Sequence, residues 1–367
     1  MQTFTAFPVN GDSFLLQRDC VNILVDGGGC KTGIIPRKGN GVPRKFDVVV
    51  CTHADSDHIT GLVGLFEQAA KNEIKELWVP SYFIRAKDIP SDGRERKKFY
   101  DKEMSVLKEL MKNDGEYPFD TVEKLVACCS DEFDVSHDEM KRTLISNLKQ
   151  KKRSENIYEY VKTHVEKIIL LIKLAGEKNI KIRYFSWGKK GEETYKYFYS
   201  VNAREERIKK VSGSKKENLG KLCYCTALSA INKMSLAFLA PETDKNNAVL
   251  FCGDSELENA SLGVSPKNIP IVTAPHHGSE SNKAAYSVIE NFYSHPIFVV
   301  SLYSRVDKKL CNKFFKEKWY ATDKNLGLVA LEKENRDWYG PDEECLSKGE
   351  RSDDHRFLVE RLLIESL

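Results

Sequence analysis

A chain of 367 residues with 41% hydrophobic content is long enough for one large domain or two ordinary ones, and apolar enough for a real core. It contains no run of about 18 uninterrupted apolar residues, and its opening MQTFTAFPVNGDSF has neither a basic n-region nor an apolar h-region, so neither membrane spanning nor secretion is expected. The net charge of +3 hides an asymmetry: residues 141–221 hold 22 Lys and Arg against 9 Asp and Glu, a basic segment on a mildly acidic remainder.

In chain order, TFTAFPV, NGDSFLLQ and VNILVDGGG read as short strands, each ended by Gly, Asn or Asp, which makes a β-meander. FDVVVCT is the next strand. From His58 a helix follows, with Ile59, Leu62, Val63, Phe66 and Ala70 at helical spacing, and KELWVP reads as a further strand. From about 81 to 220 the sequence turns Lys/Glu-rich and mostly helical, as in NIYEYVKTHVEKIILLIKLAGEKN, and SGSKKENLGK near its end reads as an exposed flexible loop. Strand patterns return in MSLAFLA, NAVLFCGDS, IPIVTAPHHGS, HPIFVVSLYS and NLGLVALEK. The expected organisation is one α/β domain, residues 1–80 plus 221–335, interrupted by a basic insertion at 81–220 and followed by a charged tail at 336–367. The tail ends in HRFLVERLLIESL, an amphipathic helix fit to dock on the body or on a partner. Ten cysteines are scattered without a C-x-x-C pair, and Cys51 and Cys252 lie inside apolar runs, which points to a reducing cytosol.

The stretch VVVCTHADSDHITGL, residues 48–62, crowds His53, Asp55, Asp57 and His58 onto the end of a strand. His276 and His277 in IVTAPHHGS and Asp254 in VLFCGDS occupy two more strand ends, where α/β folds bind ligands. The other histidines, His137, His164, His295 and His355, are dispersed in ordinary surface contexts. In an extended loop positions 53, 55 and 57 project to one side, and His58, opening the helix, turns toward the same point. Imidazole and carboxylate donors together suit Zn²⁺, Mn²⁺ or Fe²⁺, and a carboxylate-rich set favours the harder Mn²⁺. Several carboxylates packed without cations repel one another, so one or two divalent ions are expected. Taken singly, each motif has a plainer reading: a loop with Asp57 as helix N-cap, a turn at His-His-Gly, a cap at Gly-Asp. Their joint occurrence in this order favours the metal site.

THADSDHITG resembles the signature loop of the metallo-β-lactamase superfamily, with Asp55 where a second His is more usual. With NGDSFLL, VDGG, INKMSL, FCGD and APHHGS it resembles the ComEC-like branch, over residues 1–80 and 221–335 but not over the insertion or tail. The resemblance implies a metallo-β-lactamase-like αββα sandwich carrying a large, mostly helical basic insertion. It implies one or two Zn²⁺ or Mn²⁺ ions, with His53 and Asp55 on one, Asp57, His58 and His277 on the other, and Asp254 bridging. It also implies Asp57 and His276 as catalytic residues, His276 contacting substrate as acid or oxyanion stabiliser; the sequence does not decide which of the adjacent histidines ligates. SAINKMSL departs from the pattern, placing Asn232 where a further metal-binding His is common, so the first metal position is expected to be weak.

The implied chemistry is metal-assisted hydrolysis, for which a phosphodiester is the natural substrate. Ser279 and Ser281 in HHGSESN are placed either to donate to a phosphate or to satisfy the turn's own backbone. Lys149, Lys151, Lys152, Arg153, Arg204, Arg207, Lys209, Lys210, Lys215 and Lys216, interleaved with Tyr195, Tyr197, Phe198 and Tyr199, suit a polyanion, although Lys-rich helices are as often solvated faces. The expectation is a cytoplasmic phosphodiesterase or nuclease acting on DNA or RNA, away from membranes, with a protein partner for the insertion or C-terminal helix. Fold-level analogy adds an effector role in bacterial antiviral defence. The alternatives are a hydrolase of a small phosphodiester, cyclic nucleotide or ester, and a metal-binding, non-catalytic partner module.

Overall fold

Alternation along the first strands sorts their side chains between two apolar layers. In the computed structural model β1 (Gln2–Ala6), β2 (Phe14–Arg18) and β3 (Val21–Val25) form the antiparallel meander, and β4 (Phe46–Val50) and β5 (Ile74–Pro80) extend it in parallel. Phe14, Leu16, Ile23, Val25, Val48 and Val50 point into one cluster, while Leu15, Leu24 and Val49 point into another. Period-two geometry with both faces covered is why these strands read as nearly continuous hydrophobic runs. The structure describes residues 2–34, 42–89, 157–188, 197–207, 213–229, 234–263, 265–301, 319–322, 329–334 and 337–339, with isolated residues between 96 and 142 and at 311 and 313.

A second sheet carries β9 (Phe238–Ala240), β10 (Val249–Phe251), β11 (Ile271–Thr273), β12 (Ile297–Ser301) and β13 (Trp319–Thr322), parallel from β10 to β13. Phe238, Val249, Phe251, Ile271 and Val299 share one cluster with Phe4, Phe14, Val48 and Val50, so the sheets pack face to face. The helices α1 (Ser56–Gln68), α2 (Ile157–Glu177) and α3 (Lys215–Ser229) cover the outer face of the first sheet, and α4 (Lys283–Phe292) that of the second. The layers are therefore αββα, the fold class expected.

The segment expected as a mostly helical insertion is partly sheet. β6 (Lys181–Trp187) lies parallel to β5, β8 (Ala203–Glu206) runs antiparallel to β6, and β7 (Tyr199–Ser200) pairs with β9 in the other sheet. The first sheet closes with β14 (Val329–Glu334) and β15 (Asp337–Tyr339), in the order β15-β14-β1-β2-β3-β4-β5-β6-β8, so residues 337–339, expected in the tail, belong to the sheet. Charge disguised β6: Lys181 and the largely covered Arg183 pair with Glu76 and Glu205 while Tyr184, Phe185 and Trp187 are buried. α2 is likewise a core helix, burying Val161, Val165, Ile168, Leu171, Ile172 and Ala175.

Within SGSKKENLGK, residues 215–221 are not a loop but the first turns of α3. Ser214 Oγ accepts from the Glu217 amide at 3.2 Å and Glu217 Oε2 from the Ser214 amide at 2.6 Å, a capping box. Leu219 and Leu222 then bury the helix against the core. Among the described residues no helix is long and apolar enough to cross a membrane. Asn232, Tyr195, Lys209, Lys210, residues 149–153 and the HRFLVERLLIESL helix lie outside the described residues.

The loops after β3, β4, β10 and β11 meet at the carboxyl ends of these parallel strands, the usual ligand-binding edge of an α/β sheet. Gly61 lets α1 reach them: its amide donates to Gly28 O at 2.8 Å, and a Cβ there would stand 1.7 Å from Gly27 O. That contact, with the Gly27 amide donating to His58 O at 2.8 Å, seats the first two turns of α1 on the VDGGG loop.

Candidate metal centre

The loop after β4 is fixed from behind by one carboxylate. Asp26, just after β3, accepts from the Thr52 amide on Oδ1 (2.8 Å) and from Thr52 Oγ1 on Oδ2 (2.7 Å). Its Oδ2 also lies 2.8 Å from His58 Nδ1. Asp26 Oδ2 accepts from His58 Nδ1, which leaves Nε2 as the His58 nitrogen that faces forward. Thr52, having given its one hydroxyl proton to Asp26, accepts from His53 Nδ1 at 2.9 Å, which leaves His53 Nε2 facing forward as well. Asp12 repeats the device for His277, whose Nδ1 stands 2.9 Å from Asp12 Oδ1.

These nitrogens converge on Asp254. Its Oδ1 lies 3.3 Å from His58 Nε2 and 4.0 Å from His277 Nε2, while its Oδ2 lies 3.6 Å from His53 Nε2 and 3.7 Å from His276 Nε2. Asp57 joins the first side, with Oδ2 3.2 Å from His277 Nε2 and Oδ1 4.0 Å from His58 Nε2. Two overlapping donor groups result, His53–His58–Asp254 and Asp57–His58–His277. The Nε2 atoms of His53, His58 and His277 are buried and make no hydrogen bond. Buried nitrogens left so are costly unless a cation takes their lone pairs. The donor set fits a centre for one or two divalent metal ions, and its mixture of imidazole and carboxylate suits zinc.

Charge at the centre is strongly coupled. Burial alone would raise the Asp254 carboxyl, but His58, His276, His53 and His277 around it hold it well below the usual carboxylate range. Burial alone would lower His58 and His277; instead Asp254 and Asp26 push His58 well above its ordinary value, and Asp12, with Asp254 and Asp57, pushes His277 up to about 10. Burial and the neighbouring His58 lower His53. A site that attracts protons this strongly attracts a cation in their place.

His53, Asp57, His58, Asp254, His276 and His277 are thus brought together, and Asp55 is not among either donor group. It stands at the N-cap of α1, makes no side-chain cap bond, and accepts through Oδ1 from the Tyr160 hydroxyl of α2. Asp57, read as a possible cap, lies in the first turn. His276 and His277 both adopt left-handed backbone, φ 47° and 52°, followed by Gly278 at 80°. Such strained residues persist where surrounding structure demands them. Ser279 and Ser281 serve the turn: Ser279 Oγ accepts from the Ser281 amide at 3.3 Å, and Ser281 Oγ lies 2.9 Å from Ser279 Oγ and 3.4 Å from His276 Nδ1.

Sequence reading missed the supporting residues Asp12, Asp26 and Thr52, and with them Ser235, whose Oγ lies 3.3 Å from His53 Nδ1, and Asn282, whose Oδ1 lies 3.0 Å from His276 Nδ1. Asp12 and Asp26 stood inside the motifs NGDSFLL and VDGG, but an Asp beside glycine reads first as a turn former. His164, expected at the surface, is buried with Nε2 3.1 Å from Ser56 Oγ.

Residues 6–96 match a family model described as Metallo-beta-lactamase superfamily. That segment takes in Asp12, Asp26, His53, Asp55, Asp57 and His58, and the fold brings Asp254, His276 and His277 to the His53–His58 end of it. Among solved structures, one described as "AidC, a Dizinc Quorum-Quenching Lactonase, in complex with a product N-hexnoyl-L-homoserine" is similar at 8% identity with a TM-score of 0.35, over 90% of this chain and 78% of that one. No curated protein matches the chain.

Proposed function

We propose that this protein is a metal-dependent hydrolase, and that its substrate is a phosphodiester of a nucleic acid, as in the ComEC-like branch its motifs resemble. The observation that carries the reading is Asp254, which presents one carboxylate oxygen to each side of a ring of four imidazoles. His53, His58, His277, Asp57 and Asp254 would hold a divalent ion there, which would supply Lewis acidity for hydrolysis. The chain's own part is positioning: Asp26 and Asp12 fix the tautomer and direction of His58 and His277, and Thr52 does so for His53.

His276 is placed to serve substrate. Its Nδ1 lies 3.0 Å from Asn282 Oδ1, and its ring is the most exposed of the four, with 23% of the side chain accessible. The nucleic-acid preference is supported by the basic balance of residues 141–221. A cytosolic setting is supported by cysteine usage, Cys51 and Cys252 being buried and unbridged. A defence role rests on analogy alone.

The test is cleavage of labelled single- and double-stranded DNA and RNA with added Mn²⁺, Zn²⁺ or Mg²⁺, comparing wild type with Asp57→Ala/His58→Ala. Metal-dependent cutting that the double variant loses is the expected result. If the zinc-loaded wild type cuts no polymer but hydrolyses a cyclic nucleotide or ester, the nucleic-acid assignment falls; if it hydrolyses nothing, the hydrolase reading falls.

A further inference from the structure

The two donor groups compete for one atom. His58 belongs to both, and its Nδ1 is engaged by Asp26 at 2.8 Å, so only Nε2 faces the centre. One imidazole nitrogen has one lone pair and serves one cation. If His58 joins Asp57 and His277, the other side of Asp254 retains His53 at 3.6 Å and His276 at 3.7 Å from Oδ2. A zinc position needs about four donors. The nearest further carboxylate in the loop is Asp55, and α2 holds it.

The hold is built from several contacts. The Tyr160 hydroxyl donates to Asp55 Oδ1, and the Tyr160 ring lies against His164 with centroids 3.9 Å apart. His164 Nε2 reaches Ser56 Oγ at 3.1 Å, and Lys167 Nζ donates to Ser56 Oγ and Thr60 Oγ1, both at 2.8 Å. The same face of α2 therefore grips the first turn of α1 and the residue immediately before it.

We propose that Tyr160 is a positioning residue that withholds Asp55 from the metal centre, so that the protein binds one divalent ion tightly and a second only when Asp55 leaves the tyrosine. This rests on the metal-centre reading above. α2 thereby sets metal stoichiometry, although it lies outside the matched segment and donates no ligand.

The measurement is zinc stoichiometry by elemental analysis, with the two affinities taken from competition against a chromophoric chelator, on the full chain. Wild type should hold one zinc tightly and a second weakly. Tyr160→Phe, which removes one oxygen, should tighten the second by about tenfold, the scale of one hydrogen bond to a charged group, and leave the first unchanged. Adding Asp55→Asn should erase that gain. A merely structural tyrosine would lower affinity on removal, not raise it.

Two equally tight zincs in wild type, an unchanged or weaker second zinc in Tyr160→Phe, or a gain that survives Asp55→Asn would each overturn the proposal. Should Tyr160→Phe fail to fold, Asp55→Asn alone decides: the second zinc should disappear while the first stays, and an unchanged second zinc overturns it. If neither wild type nor variant binds zinc, the metal-centre reading itself fails, which is distinct from zinc bound without response to Tyr160.

Discussion

The two sides of Asp254 are built to different standards. On the Oδ1 side His58 and His277 are each backed by a buried carboxylate, Asp26 or Asp12, at 2.8 and 2.9 Å. On the Oδ2 side the backing is neutral: the Thr52 and Ser235 hydroxyls behind His53 at 2.9 and 3.3 Å, and the Asn282 amide oxygen behind His276 at 3.0 Å. A carboxylate behind an imidazole raises its basicity and fixes its orientation, so the first side is the stronger ligand set. Of the two carboxylates of the loop after β4, Asp57 also lies on the strong side, and Asp55 is held away by Tyr160. One signature loop thus feeds two unequal half-sites, and the inequality comes from residues that touch no cation.

The largest test of this asymmetry is His58→Ala. It removes the one imidazole common to both donor groups and should abolish tight zinc binding, with at most weak binding left at His53; retention of a tight zinc would break the comparison. Next is Gly61→Ala, whose Cβ would stand 1.7 Å from Gly27 O. Backbone must move to admit it, at a cost of about 2–3 kcal/mol in denaturant unfolding. Because that contact seats His58 beside Asp26, the tight zinc should weaken with it. Asp26→Asn should reduce affinity for the tight zinc by about 10–100-fold, as should Asp12→Asn, while Ser235→Ala should move the weak zinc by only a few-fold. Equal responses on the two sides would show that carboxylate backing is not what separates them.

What the sequence displayed followed from how local each signal was. His53, Asp57 and His58 were legible because they crowd six positions at the end of a β-branched strand, and His276 and His277 because two adjacent histidines precede a glycine after another. The α/β class was legible from apolar strand runs alternating with helical spacing, whereas the αββα layering came only through the resemblance of THADSDHITG and its companion motifs. β6 was hidden because Lys181 and Arg183 interrupt its pattern, and they do so harmlessly since Glu76 and Glu205 neutralise them across neighbouring strands. The start of α3 was hidden because Ser214 and Lys215 read as linker composition, although S-x-x-E was there to be seen. Nothing local connects Asp55 with Tyr160, 105 positions later; that contact exists only because β5, α2 and β6 form one crossover unit that lays α2 along α1.

The sharpest test is at Thr52, because Thr52 belongs to both sides. Its hydroxyl donates to Asp26 Oδ2 at 2.7 Å, supporting His58 indirectly, and accepts from His53 Nδ1 at 2.9 Å. Thr52→Val keeps the shape of the fully buried side chain and removes only the oxygen. Asp26 still has the Thr52 amide at 2.8 Å and His58 Nδ1 at 2.8 Å, so the tight zinc should weaken by no more than a few-fold. His53 loses its closer partner and keeps only Ser235 at 3.3 Å, so the weak zinc should weaken more, by about tenfold, the value of roughly one hydrogen bond. Chelator competition on this variant therefore reads both half-sites at once. A larger loss at the tight zinc would mean that the hydroxyl acts mainly through Asp26, and the two half-sites would then be one coupled unit rather than a strong and a weak one.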